Sequence, residues 1–148
     1  MHPFDLKTAI LAKHAQHVVL IHFPLALFVI GVVFDYIAQA TQKPALASAA
    51  YYNFLVAAVS SPFAVATGLL AWQLQLDGQR LHGILLLHLI LGSVSAVLMW
   101  VVWLLHFRTA RSGQALPSYR LPLELVALFV VAFTGHLGGF LSGVNVPS

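Results

Sequence analysis

The sequence predicts an all-α integral membrane protein, a four-helix bundle with a short N-terminal interfacial helix, on three observations. Of its 148 residues 60% are hydrophobic and 7% charged, where a soluble domain carries about 25% charged residues. The mean hydropathy is +0.91. The few charges punctuate four long apolar runs. A water-soluble fold of this length could not hide so much apolar surface, because short chains keep much of their surface exposed.

The reading is of a single transmembrane domain over residues 1–148, with spans at about 17–39, 48–73, 82–106 and 121–141. Each span approaches or exceeds the roughly 20 residues that cross a bilayer. In lipid each must be helical, since a helix satisfies its own backbone. Ahead of the first span, Asp5, Leu6, Lys7, Ile10, Leu11 and Lys13 suggest the interfacial helix, with Asp5 as its cap. Within the first span Pro24 removes a hydrogen bond to the Leu20 carbonyl, which predicts a kink. The run is long for a signal core, so Ala38-Gln39-Ala40 after it reads as sequence within a span rather than a cleavage site. Tyr51 and Tyr52 open the second span and Trp72 closes it; Trp100 and Trp103 close the third. Gly68, Gly92, Ser95, Ala96, Ser60 and Ser61 allow close helix contact. Thr134-Gly135-His136-Leu137-Gly138-Gly139 predicts a loose end to the fourth span, where backbone can approach a ligand.

Composition also excludes function classes. The net charge of +3 comes from few residues without a basic run, so nucleic acid is not an expected partner. The chain has no cysteine, hence no disulfide, no cysteine-ligated iron–sulfur cluster and no covalently attached c-type haem. No nucleophile–base pair, phosphate loop or zinc-protease motif is present. An even number of spans puts both termini on one side. Lys7, Lys13 and Arg80 lie on the terminal side against Lys43, Arg108, Arg111 and Arg120 on the other, and this four-to-three bias gives cytoplasmic connecting loops and external termini as the expectation.

The histidines carry the functional signal. Of eight, none falls in the second span. His22, His88 and His136 lie at a shared depth on three different spans, roughly 8 Å below the surface. His17 and His82 sit above them near the interface, so five histidines occupy one half of the bundle. A helix turns by about 140° from His17 to His22, so the two cannot reach one atom, and ligation must run across helices. A lone histidine in a span usually serves only as a hydrogen-bonding group, but three at one depth point to a bound group. Three imidazoles suit zinc or copper; two opposed ones suit haem iron; a chlorophyll-type pigment needs one. The apolar surroundings favour haem. Gly92, Ser95 and Ala96 follow His88 as a low-profile stripe where a flat macrocycle could lie.

The remaining polar residues read more plainly. For interface histidines such as His14, His17, His82 and His106 the plain expectation is that they snorkel. Asp35 and Glu124, on the side away from the histidine cluster, could make a proton access point, but the favoured expectation is contact with headgroups. Arg108, Arg111 and Arg120 are expected to set topology or meet anionic lipid.

The stretch His17-Val18-Val19-Leu20-Ile21-His22-Phe23-Pro24-Leu25-Ala26-Leu27 resembles the H-x4-HFP-(I/L)-(A/G)-L opening of a bacterial membrane family, the domain of unknown function 2231. The segment Thr134–Gly139 is similar to the T-G-x-x-G-G signature of that family's last span. The resemblance covers nearly the whole chain. It marks His17, His22, Pro24, His136, Gly138 and Gly139, and either His82 or His88 in the third span. The Tyr and further His that often follow the glycine pair are missing here, where Phe140-Leu141-Ser142 follows. Family members occur fused to or encoded near Rieske and c-type cytochrome domains, which implies a place in membrane electron transfer. The architecture also resembles membrane cytochromes b, although only His106 lies near the face opposite the cluster.

The expected function is that of a haem b-binding electron-transfer subunit in a bacterial cytoplasmic membrane, rather than a free-standing enzyme. Its iron would lie between His22 and His88 or His136, with a second haem at His17 or His82, and its histidine cluster would face outward. Its expected partners are other membrane subunits, a c-type cytochrome or Rieske protein, lipid and quinone. The alternative is a cofactor-free structural or assembly subunit.

Overall fold

A computed structural model describes residues 15–76 and 78–142. The interfacial helix expected around Asp5 to Lys13, and His14, lie outside the described residues. Four helices follow in order: α1 (Ala15–Thr41), α2 (Pro44–Gln75), α3 (Gly83–Ser112) and α4 (Arg120–Leu141). All four are long and apolar enough to cross a membrane. At about 1.5 Å per residue they measure roughly 33 to 48 Å. The helices overrun most of the expected span ends, because a helix need not stop where the hydrocarbon stops; α3 carries Arg108 and Arg111 in its last turns. It ends at Gly113, whose φ of 67° is the left-handed conformation that closes a helix.

Neighbours in sequence are neighbours in space: α1 packs on α2, α2 on α3 and α3 on α4, while α1 and α4 meet more sparsely. The bundle's inner faces share one spacing. On α1 it runs through Pro24, Phe28, Gly31 or Val32, and Asp35; on α3 through Ser95, Met99, Val102 and His106; on α4 through Arg120, Glu124, Ala127 and Val131. These steps of three, four and seven keep one face inward. Leu125, Val126 and Phe129 are exposed, as are Val33 and Phe63, which gives the bundle the apolar outer wall that lipid requires.

Phe28, Phe54, Met99, Val102, Ala127 and Val131 form the central core. Phe28 and Phe54 meet with ring centroids 5.6 Å apart. The Phe54 ring also lies across Gly31, where an added Cβ would come within 2.8 Å of it. The α1–α2 contact therefore depends on a bare backbone at Gly31. α1 stays helical through the buried Pro24. The last span is likewise helical through Thr134–Gly139 and on to Leu141, in place of the expected loose end. Backbone hydrogen bonding in an apolar medium outweighs the glycines' low helix propensity there.

Substituting Gly31→Val should lower stability by about 1–3 kcal/mol through overpacking against Phe54. Unfolding of the detergent-solubilised protein, followed by tryptophan fluorescence, measures it.

Candidate functional site

The five candidate histidines are treated differently by the fold. His17 and His88 turn toward neighbouring helices; His22, His82 and His136 are exposed. The helical turn explains the choice. His17 lies on the inner face of α1, seven positions before Pro24, and His88 on that of α3, seven before Ser95. His22 is five positions past His17, and His136 five past the inward Val131, a rotation of about 140° in each case. His82 sits just before α3, as its N-cap residue, with no side-chain capping bond. The expected trio of His22, His88 and His136 thus gives way to an inward pair, His17 and His88, with His22 and His136 turned outward.

Each inward ring is held by two features. His17 Nδ1 lies 3.1 Å from Thr67 Oγ1, and its ring crosses Gly68, where a Cβ would meet it at 3.0 Å. His88 Nδ1 lies 3.1 Å from the Thr134 carbonyl, and its ring covers Gly138, where a Cβ would meet it at 3.1 Å. Gly138 therefore matters as a seat for His88, and Gly139 lies half-buried beside it.

The partners assign the tautomers. A carbonyl only accepts, so His88 Nδ1 carries the hydrogen it donates to Thr134. Thr67 spends its own hydroxyl hydrogen on the Ala64 carbonyl at 3.0 Å, so it accepts from His17 Nδ1–H. His22 Nδ1 donates to the Val18 carbonyl in the same way. In the neutral form all three rings then present Nε2 as a lone pair. A hydrogen bond from Nδ1–H that fixes ring orientation and leaves Nε2 free is the usual arrangement of a metal-ligating histidine.

The small-residue stripe after His88 is not an open platform. Gly92 faces the Thr134 side chain, and Ser95 Oγ lies 3.2 Å from Thr134 Oγ1. Here α4 covers the stripe, since small residues are what let helices approach. Ala96 instead lines a shallow apolar groove between α2 and α3, with Pro62, Val65 and Trp100. His136 makes an edge contact with Phe140, centroids 4.9 Å apart.

At the other end of the bundle the residues expected to meet headgroups are buried together. Arg120 Nε donates to Asp35 Oδ2 at 2.8 Å, and His106 Nε2 lies 2.9 Å from Glu124 Oε1. Asp35, His106, Arg120 and Glu124 are all less than a tenth exposed. His106 is no snorkelling residue, and Arg120 meets a carboxylate inside the bundle rather than lipid. A lipid environment rewards this pairing, because an ionisable group that cannot reach water needs a partner in the protein. Glu124 engages His106 through Nε2.

The two ends are in register. Asp35 follows His17, His106 follows His88, and Gly138 follows Arg120, each by eighteen positions. Eighteen residues make five full turns, about 27 Å, and return to the same face. The polar clusters therefore stand on one inner surface, near either edge of the hydrocarbon.

Residues 13–145 match the family described as "Predicted membrane protein (DUF2231)". The chain belongs to that family. It is a multi-pass membrane protein, by this membership and by its four apolar helices. No curated protein and no solved structure matches it.

Breaking the Asp35–Arg120 pair from one side should be costly. Asp35→Ala leaves a buried guanidinium unpaired and is expected to lower stability by about 3–5 kcal/mol. Adding Arg120→Met to the same chain should restore most of that loss, a difference that a double-mutant cycle of unfolding measurements reads directly.

Proposed function

We propose that the chain is a haem b-binding subunit for electron transfer, working within a larger respiratory or photosynthetic membrane complex. One observation carries this reading. Imidazoles on different helices at one end of an apolar bundle are fixed through Nδ1, and their Nε2 lone pairs are left for a ligand. Without cysteine in the chain, a haem would be held by axial imidazoles and packing alone. The donor set fits: two neutral histidines on α1 and α3 suit a low-spin haem iron better than a hard cation, which asks for oxygen ligands.

His17 and His88 are the residues that would hold the group. Thr67 and the Thr134 carbonyl orient them, and Gly68 and Gly138 give the rings room. His22 offers the same tautomer on the outer face of α1, toward lipid or a partner subunit. When bound, the haem supplies the one-electron chemistry, while the protein supplies ligation, orientation and a dry setting. The proposal extends to a c-type cytochrome or Rieske protein as redox partner and to quinone as a mobile carrier. It also places the histidine end at the outer face of a bacterial cytoplasmic membrane, with Lys43, Arg108, Arg111 and Arg120 toward the inner face.

Purified protein should show a haem b α band in its reduced-minus-oxidised spectrum, with stoichiometric haem by pyridine haemochrome. Protein that folds and purifies without haem after reconstitution would favour the structural-subunit reading instead. His88→Ala and His17→Ala should each lose the bound haem. Thr67→Val should keep the ligand but release its tether, weakening haem retention by about 10–100-fold, the usual cost of losing a second-shell partner. Haem transfer to apomyoglobin measures this.

A further inference from the structure

The buried cluster at the connecting-loop end plays no part in that reading, and its charges do not balance. Asp35 and Glu124 each bring a carboxylate, against the single guanidinium of Arg120, which stays charged under all ordinary conditions. The groups facing the cluster can be named helix by helix among the described residues. α1 presents Asp35, and α4 presents Arg120 and Glu124. α3 presents His106, with Arg108 exposed two positions on. α2 presents no charge but the Phe54 ring, 4.9 Å from the imidazole of His106. With His106 neutral, one negative charge remains uncompensated in an apolar interior, where an isolated charge is strongly disfavoured.

A second observation shows where compensation belongs. Glu124 Oε1 faces His106 Nε2, but Glu124 Oε2 is buried without a hydrogen-bond partner, in a residue only 1% exposed. Ligand atoms of Asp35, His106 and Glu124 all lie within 4.8 Å of one another. Two kinds of cation could answer such a group. A divalent metal would replace a deficit of one charge by an excess of one, beside the guanidinium that already occupies Asp35. A proton brings the cluster to neutrality and leaves the Asp35–Arg120 pair intact.

We infer that the His106–Glu124 pair is a proton-binding site, taking up one proton from solvent on the unpartnered Glu124 Oε2. His106 keeps its Nε2–H donated to Oε1 as the proton arrives, so no bond is broken except that to the donating acid. Phe28, Val32, Phe54, Met99, Val102 and Val131 fill the bundle between this site and His17 and His88. The site is therefore chemically separate from the histidine end and does not depend on what binds there.

The chain simplifies the test, since Glu124 is its only glutamate. Full-length protein made with glutamate labelled with carbon-13 at the side-chain carboxyl, in lipid nanodiscs, gives one carboxyl resonance assignable without mutation. The expected result is a single reversible step between the acid and carboxylate positions within the pH range where the protein stays folded. Glu124→Gln should reduce proton uptake across that step by one per chain. A resonance that stays at the carboxylate position throughout that range would overturn the proposal. So would stoichiometric binding of zinc chloride that moves the resonance and is lost with Glu124→Gln, which would make the cluster a metal site.

Discussion

Lipid offers no hydrogen bonds, so an ionisable side chain inside this bundle is costly unless it finds a partner within the chain. The architecture follows from that constraint. The middle of the bundle is filled by Phe28, Phe54, Met99, Val102 and Val131, with no charged side chain among them. The charged side chains and the inward histidines gather at the two ends: Asp35 of α1, His106 of α3 and Arg120 and Glu124 of α4 at one, His17 of α1 and His88 of α3 at the other. Arg120 holds Asp35 and His106 holds Glu124 at one end; Thr67 and Thr134 hold His17 and His88 at the other.

The two ends satisfy the constraint differently, and the difference gives each its chemistry. At the histidine end His17 and His88 are each bonded through Nδ1, so the fold fixes the ring's orientation and turns Nε2 to a ligand. Gly68 and Gly138 contribute by lacking a side chain: a Cβ there would crowd the imidazole at 3.0 and 3.1 Å. At the other end the groups are bonded to one another, and Glu124 Oε2 is left buried without a partner, as is the Trp103 Nε1 a turn before His106. The first arrangement suits a ligand brought from outside the chain, the second a small positive charge.

Much of the fold was legible in the sequence. Four apolar runs separated by charges required four helices, and four helices in that order form. The side chains that face inward were legible too, but only by tracking spacing rather than depth. His22, His88 and His136 share a depth, yet His22 and His136 are each rotated by about 140° from an inward neighbour. The steps linking His17 to Pro24, Phe28 and Asp35, and His88 to Ser95, Met99 and His106, carried the better signal. The same steps place Asp35, His106 and Glu124 inside the bundle. Judged one at a time, those residues lay close enough to span ends to reach headgroups. What no sequence pattern carried was the pairing itself: that Arg120 turns inward to Asp35, and that Thr134 serves His88 through its backbone.

The central claim is that His17 and His88 present ligating nitrogens to a common iron. Low-temperature electron paramagnetic resonance of the oxidised, membrane-reconstituted protein tests it most directly. A low-spin ferric signal of bis-imidazole type, converted to high spin or lost when either histidine becomes alanine, is the predicted result. A low-spin signal that survives both substitutions unchanged, or no haem iron in folded protein, would contradict it.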